Sequence, residues 1–420
     1  MKKTMAALLY VSFLVLALRV QGATPGAAGP AASRLEVSTQ VTLASTMLQR
    51  YRATSREELV TQAQAAINKA LALAPDDYIA QRTAVAVMLA QHQDSAALER
   101  ASALNLRFPD DVDTYALLID AQLALGHHTD AETYTQRLLD LRPDNLPGLV
   151  RAARLRELYG DWQGAIDFIN ATVNRVAAAE VEERAWLYVQ LARLHFGAGR
   201  PEIARAALDA ALAALPDYPV ALEEALRIER LSGANAEALK TAQHLYRVAP
   251  SASRLLCLAR ANAQAGQRAA AVTQFDQFLA AAKNLQAQNT NTSLALSAYY
   301  LAEGRDPAQA LVIATAARGQ RADPHTVTAY GLALHGVGRD VEAMAALESL
   351  LALGYRDADF MFAAGEVFAT GGDPQRAREL LKTALASAPR DPRAAALEQR
   401  LRAPAADNGG PTPTNLKPTS

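Results

Sequence analysis

The sequence is short of the features that most binding and catalytic classes need. It holds one cysteine, Cys257, so no intramolecular disulfide and no Cys-X-X-Cys metal pair can form. Aromatic residues make up 6% of the 420 residues while hydrophobic residues make up half, a balance that suits an alanine-rich helical stack better than a sheet. Charge of one sign is also missing: Lys and Arg total 42, Asp and Glu total 43, and the net charge is −1. General nucleic-acid binding needs a basic domain or stripe, so it is not expected. The HExxH, GxSxG and GxxxxGK[ST] signatures are absent, as is a GxGxxG placed after a strand. No catalysis, metal or cofactor is expected. His127-His128 beside Asp130 reads as a solvated turn, because a metal site needs three or four supported ligands.

What is present is a beat. Ala63, Ala97, Ala131, Ala165, Ala204, Ala238, Ala271, Ala310, Ala343 and Ala377 follow one another at steps of 34, 34, 34, 39, 34, 33, 39, 33 and 34 residues. Pro75, Pro109, Pro143, Pro216, Pro250 and Pro389 mark unit ends on the same beat. Gly126, Gly160, Gly199, Gly233, Gly266, Gly304, Gly338 and Gly372 mark an inner turn. Residues 358–391 show one unit most clearly. Met361, Ala364, Gly365 and Phe368 form one helical face, Gly372-Asp373-Pro374 break it, and Ala377, Leu380, Leu381, Ala384 and Leu385 form a second. One such pair cannot bury its own apolar surface and needs copies on either side.

This pattern resembles the tetratricopeptide repeat family, with its 34-residue period, a small residue in the first helix, Ala in the second and Pro at the end. The small position is held by Ala153, Ala192, Ala259, Ser297, Gly331 and Gly365, and by the larger Val85, Ile119 and Leu226 in three units. The resemblance covers roughly residues 44–391 and departs from the pattern in the first unit, where Tyr51 takes the small position and Glu58 the turn glycine's place. It implies an all-α fold: a right-handed superhelical solenoid of about ten helix pairs with terminal helices. The repeats are expected at about 44–77, 78–111, 112–145, 146–184, 185–218, 219–251, 252–285, 290–323, 324–357 and 358–391. A capping helix at 392–402 follows, opened by Asp391 and Pro392. Asp111/Asp113 and Asp357/Asp359 fall at unit boundaries, where Asp caps the next helix.

Taken in order, residues 1–22 read as a signal peptide. Lys2 and Lys3 precede the apolar run Met5–Leu18, and Val20-Gln21-Gly22 offers a cleavage site. The run is too short for an ordinary spanning helix, so an uncleaved inner-membrane anchor is the alternative. Residues 23–34 form a flexible Gly/Pro/Ala linker, and a helix is expected from near Leu35 towards Ala53. Ser55 and Glu58 form an expected capping box. The extra residues at 174–183 are good helix formers, which predicts a lengthened helix or a helix with a hinge. Lys283–Ser293 is rich in amides and hydroxyls and reads as a loop. These two stretches divide the stack into four, three and three units. The division reads either as tolerated surface insertions or as bends. Residues 403–420, with four prolines, read as a disordered tail. Cys257, between Leu256 and Leu258, reads as a small buried thiol.

One constellation points to binding. The residue after the small position is Arg154, Arg193, Arg227 and Arg260 in four consecutive units, with Arg230 one turn beyond Arg227. In the family this resembles, first helices line the concave groove, so this ladder would present forked donors to carboxylate or phosphate. Glu157 and Glu223 lie nearby, so a self-paired ladder is the competing reading. Trp186 and Phe196 are placed on or near the same groove and serve as core packing or as a binding hot spot. The resulting functional reading is a non-enzymatic scaffold or adaptor of the cell envelope, periplasmic or secreted. It would hold an extended protein or peptide partner, an acidic one if the ladder reads it. An anionic polysaccharide in export or envelope assembly is the second ligand class, and a chaperone-like accessory to a maturation enzyme the third role. No membrane span is expected once the signal is removed.

Overall fold

The computed structural model describes residues 30–285 and 290–402. The expected signal peptide, most of the linker and the tail lie outside the described residues. Among the described residues there are 21 helices and no strand. They run as pairs: α1 (Pro30–Thr54) with α2 (Glu57–Leu73), α3 (Tyr78–Ala90) with α4 (Asp94–Arg107), α5 (Val112–Leu125) with α6 (His128–Leu141), α7 (Leu146–Leu158) with α8 (Trp162–Val173), and α9 (Val181–Gly197) with α10 (Pro201–Ala214). Next come α11 (Pro219–Leu231) with α12 (Asn235–Val248), α13 (Ala252–Gln264) with α14 (Arg268–Leu285), α15 (Thr290–Ala302) with α16 (Pro307–Gln320), α17 (Pro324–Gly336) with α18 (Asp340–Leu353), and α19 (Ala358–Thr370) with α20 (Pro374–Ser387). A last helix, α21 (Arg393–Arg402), rests on α19 and α20. No helix among the described residues is long and apolar enough to cross a membrane.

The register alanines explain why the pairs stack. All ten sit in second helices, and none is more than 2% exposed. A methyl there lets two backbones approach closely, where a longer side chain would force them apart. Val85, Ile119 and Leu226, at the small position of first helices, are buried as well. Boundary Asp and Asn residues start the helices: Asp77, Asp111, Asn145, Asp323 and Asp357 accept from backbone amides in the first turns of α3, α5, α7, α17 and α19. Asp391 does the same for Arg393.

Three local expectations are corrected, and a fourth is resolved between its two alternatives. The first helix starts at Pro30, not near Leu35, so it takes in the end of the expected linker. Ser55 does not cap α2: it adopts a left-handed φ of 51°, and Arg56 is the residue before the helix. The reversal between α1 and α2 needs a left-handed residue, and this unit has no glycine there. His92 and Arg305 take that conformation in the second and eighth pairs, Arg305 in place of the expected Gly304. At 174–183 the structure has a helix with a hinge: residues 174–180 form a turn, and α9 from Val181 runs for 17 residues. Val176 is drawn into the core beside Ile169 and Leu187, and Arg184 holds the turn through the carbonyls of Val173 and Val176. The expected loop at 283–293 is helical at both ends, since α14 continues to Leu285 and α15 begins at Thr290; residues 286–289 lie outside the described residues.

First helices touch first helices along most of the array, α1 on α3, α3 on α5, α5 on α7, α9 on α11, and α13 through α19 in turn. They form the inner layer and the second helices the outer one. The superhelix also returns on itself. Ala322 N donates to Ala124 O at 2.9 Å, and Ser387 Oγ donates to Gly197 O at 2.6 Å. Arg321 reaches back to Asp94 at 3.4 Å and to His92. Gly160, in the turn after α7, lies against Gly354 and Arg356 at the end of α18. Inner turns of earlier pairs therefore abut unit ends of later ones. One apolar cluster joins both, from Leu158, Ala192 and Phe196 to Tyr355, Phe360 and Met361.

Candidate functional site

The inner layer carries the predicted arginines, and the return of the chain decides what they meet. Arg193, on α9, donates to Glu157 at 2.8 Å and to Gln190 at 2.7 Å. Arg227, on α11, pairs with Glu224 at 3.1 Å, with Asp359 at 3.3 Å and with Asp357, which lies 130 residues further on. Arg230 reaches Asp359 at 3.4 Å. Arg260, on α13, grips Glu303 with Nε at 2.8 Å and Nη2 at 2.9 Å and also donates to the carbonyl of Ala298. Of the five, only Arg154 is exposed and makes no direct ion pair among the described residues; it acts on Asp94 at longer range. Four of the five are thus joined to acids, and the structure brings Arg193, Arg227 and Arg230 into one cluster with the start of α19.

Asp359 is the hub of that cluster. Arg393, from α21, meets it at 2.9 Å and meets Asp391 at 2.7 Å. Burial works against charge on Asp359, but Arg227, Arg230 and Arg393 outweigh it and pull the carboxyl down to about 2. Burial likewise opposes charge on Arg227, and Asp357, Glu224 and Asp359 overcome it, so its pKa rises well above the ordinary value. Glu224 responds in the opposite sense. It is the more deeply enclosed carboxylate and shares one guanidinium with two others, so burial pushes its pKa up despite Arg227. Tyr355 is raised well above the usual phenol, by burial first and by Asp357 and Glu157 next.

The two aromatics take the packing role of their two alternatives, and Cys257 departs from expectation. Phe196 is 2% exposed and belongs to the apolar cluster between earlier and later pairs, so it does not line a groove. The later pairs cover it. Trp186 is half-buried between two local cores, beside Leu187 and beside Tyr218. Cys257 is exposed rather than buried, because it faces the inner side of α13. Protein nonetheless surrounds it closely enough to push its thiol pKa up. Of the acids expected to satisfy the ladder, Glu157 does so, whereas Glu223 pairs with Arg254 at 2.7 Å. Asp359 and Arg393 were not expected at the site. The Asp-Ala-Asp at a unit boundary was visible as a capping signal, but its reach to Arg227 was not.

Beside this cluster the inner layer of the last pairs forms a half-open cavity of about 230 Å³. Leu301, Leu332, Phe360 and Ala363 give it an apolar lining, and His325, Asp359 and Arg393 are its polar edge.

The fold and this face define a class: an all-helical repeat solenoid whose inner helices present an interaction surface. Family models described as tetratricopeptide repeat match residues 185–228 and 342–392. These two stretches of the chain match tetratricopeptide repeats, and such repeats support protein partners and a scaffold role. No curated protein sequence matches the chain significantly. Among solved structures it is similar to a chain of the APC/C hetero-tetramer Cut9–Hcn1, with 17% identity and a TM-score of 0.40, over 88% of this chain and 57% of that one. It is similar to human IFIT1, crystallised as a dimer with PPP-AAAA, with 15% identity and a TM-score of 0.45 over 84% of each chain. A tetratricopeptide-repeat protein of Thermus thermophilus is 19% identical, with a TM-score of 0.37 over 44% of this chain and 92% of that one.

Proposed function

We propose that this protein is a non-enzymatic scaffold of the cell envelope that holds a segment of a protein partner on its inner face. The observation that carries the reading is the cavity between α15, α17 and α19. Its apolar lining accepts a partner's side chain, and the polar groups at its edge fix the partner's backbone. A hot spot of this kind, an apolar anchor within a polar rim, is where partner affinity concentrates. The envelope location rests on the signal-like residues 1–22.

A photo-reactive residue placed at Leu332, in the cavity, and another at Val312, exposed on the outer helix α16, test this in intact cells. The Leu332 position is expected to trap a discrete envelope protein that the Val312 position does not. Identical products from the two positions would remove the cavity from consideration. Leu332→Glu is expected to abolish the specific product while leaving the helical signal intact. The mature N-terminus, read by sequencing, is expected to follow residue 22.

A further inference from the structure

The return of the chain covers part of each edge of the array and leaves two stretches bare, and these two match each other. The turn glycines with left-handed angles divide into two sets. Gly126, Gly160, Gly199 and Gly233, in the third to sixth pairs, lie against Ala322, Gly354, Ala386 and Arg390 at later unit ends. A Cβ at Gly266, Gly338 or Gly372, in the seventh, ninth and tenth pairs, would meet nothing within 4 Å among the described residues. Unit ends divide the other way. Those of the eighth to tenth pairs are the ones the early turns touch, while Pro75-Asp76, Pro109-Asp110 and Pro143-Asp144, which end the first three pairs, are exposed. Beside them stand bare apolar side chains, Leu73, Phe108, Leu141 and above all Leu106, 85% exposed. Val272 and Val341, near the starts of α14 and α18, are 60% and 76% exposed beside the free turns.

We propose that the protein assembles head to tail with further copies of itself, the inner turns of the seventh to tenth pairs in one chain docking on the unit ends of the first three pairs in the next. The contact continues between chains the packing of turns on unit ends that the array already makes within one chain. Shape supports it. The groove between α18 and α20, about 300 Å³, is lined by Gly354 and Arg356, the residues against which the Gly160 turn rests. The equivalent groove between α2 and α4 is larger, about 550 Å³, and Leu71, Pro75 and Met88 give it an apolar lining. Charge supports it as well. Exposed Arg268, Arg305 and Arg339 flank the free turns, and exposed Asp76, Asp110 and Asp144 mark the free ends. Arg339 holds its neighbour Glu342 and Asp144 holds Arg175, but the other four make no ion pair among the described residues. The covered seam has the opposite polarity. Asp94, beside the second pair's turn, meets Arg321, and Arg356 and Arg390 stand at late unit ends where the first three pairs have aspartate. Free turns therefore suit the free ends and not the ends that the chain covers itself. Each chain carries one surface of each kind, so the contact is heterologous and growth does not stop at a pair. Neither the cavity nor a separate partner enters this inference.

Sedimentation equilibrium of the purified full chain tests it over roughly 1 µM to 1 mM, the range a weak interface spans. The average mass is expected to pass twice that of one chain as concentration rises. It is expected to fall as ionic strength rises, because the docking charges are exposed. Arg268→Glu/Arg305→Asp, on the turns, and Asp76→Arg/Asp110→Arg, on the ends, are each expected to keep the mass of one chain. The fold is spared, since Asp77, Asp111 and Asp306 make the cap bonds beside these positions and aspartate tolerates the left-handed angle at 305. Mixed in equal amounts, the two variants are expected to regain association, because reversed turns then meet reversed ends. If a double variant loses its helical signal, Arg268→Glu and Asp110→Arg are read singly, with association weakened at least threefold. A wild type that keeps the mass of one chain, or stops at twice that mass, overturns the proposal. So does a folded variant that associates as the wild type does, or a mixture of folded variants that fails to associate.

Discussion

Gly199→Ala separates the fold's two uses of glycine. Gly199 adopts φ +72° in the turn between α9 and α10, and Gly338 adopts φ +77° in the turn between α17 and α18. Alanine pays a similar backbone cost at both, roughly 1–2 kcal/mol in the left-handed region. The surroundings differ. A Cβ at Gly199 would lie 2.7 Å from the carbonyl oxygen of Ala386, whereas one at Gly338 meets nothing within 4 Å. Ala386 lies within α20, so its carbonyl cannot swing aside as a side-chain tip would, and the later pairs must shift. Overpacking of that kind costs about 1–3 kcal/mol more. Urea unfolding followed by circular dichroism is expected to rank wild type above Gly338→Ala and that above Gly199→Ala. Hydrogen exchange in Gly199→Ala is expected to quicken at the end of α20 as well as at the mutated turn. Equal losses for the two variants, within about 0.5 kcal/mol, would refute the packing of earlier turns on later unit ends.

Other outcomes follow from the same contacts. Phe196→Ala should lower stability by about 3–5 kcal/mol, since the ring is buried between earlier and later pairs; a thermal midpoint at the wild-type value would return Phe196 to the list of exposed groove residues. Acid should weaken the fold in two windows. His92, its pKa lowered to about 4 by burial and then by Arg321, stays neutral when folded, so the stability it contributes is lost as pH falls from about 6.5 to 4. Asp359, held at about 2 by the three arginines, contributes stability that is lost as pH falls from about 4 towards 2, by roughly 2 kcal/mol. His92→Asn, a residue that tolerates the left-handed backbone, should flatten the upper window of a melting-temperature profile and leave the lower one.

The legible part of this protein is the part whose causes are local. Ala204 lies against helices of its own and neighbouring pairs, so its small size had to be written at its own position, and the repeating alanine exposed the unit. Glycines near each inner turn and acids at unit boundaries speak for the same reason: backbone sign and helix capping are settled within a few residues. Even there a chain can substitute. His92 and Ser55 carry left-handed angles that the sequence pattern assigns to glycine, because the closed turn around them leaves no other path.

The fate of the arginine ladder was of another kind. Its existence was plain in the sequence, one arginine after the same helix position in four consecutive units, and so was the Asp-Ala-Asp at the start of α19. That Arg227 and Asp357 meet across 130 residues depends on the curvature of the whole array. Curvature is the sum of small rotations between neighbouring pairs, set by many side-chain volumes at once and recorded at no single position. The sequence by itself determined that helix pairs stack and which faces they bury. Only the tertiary structure decided that later pairs come back to cover Phe196, to leave Cys257 and Arg154 open, and to place an acidic segment on the ladder.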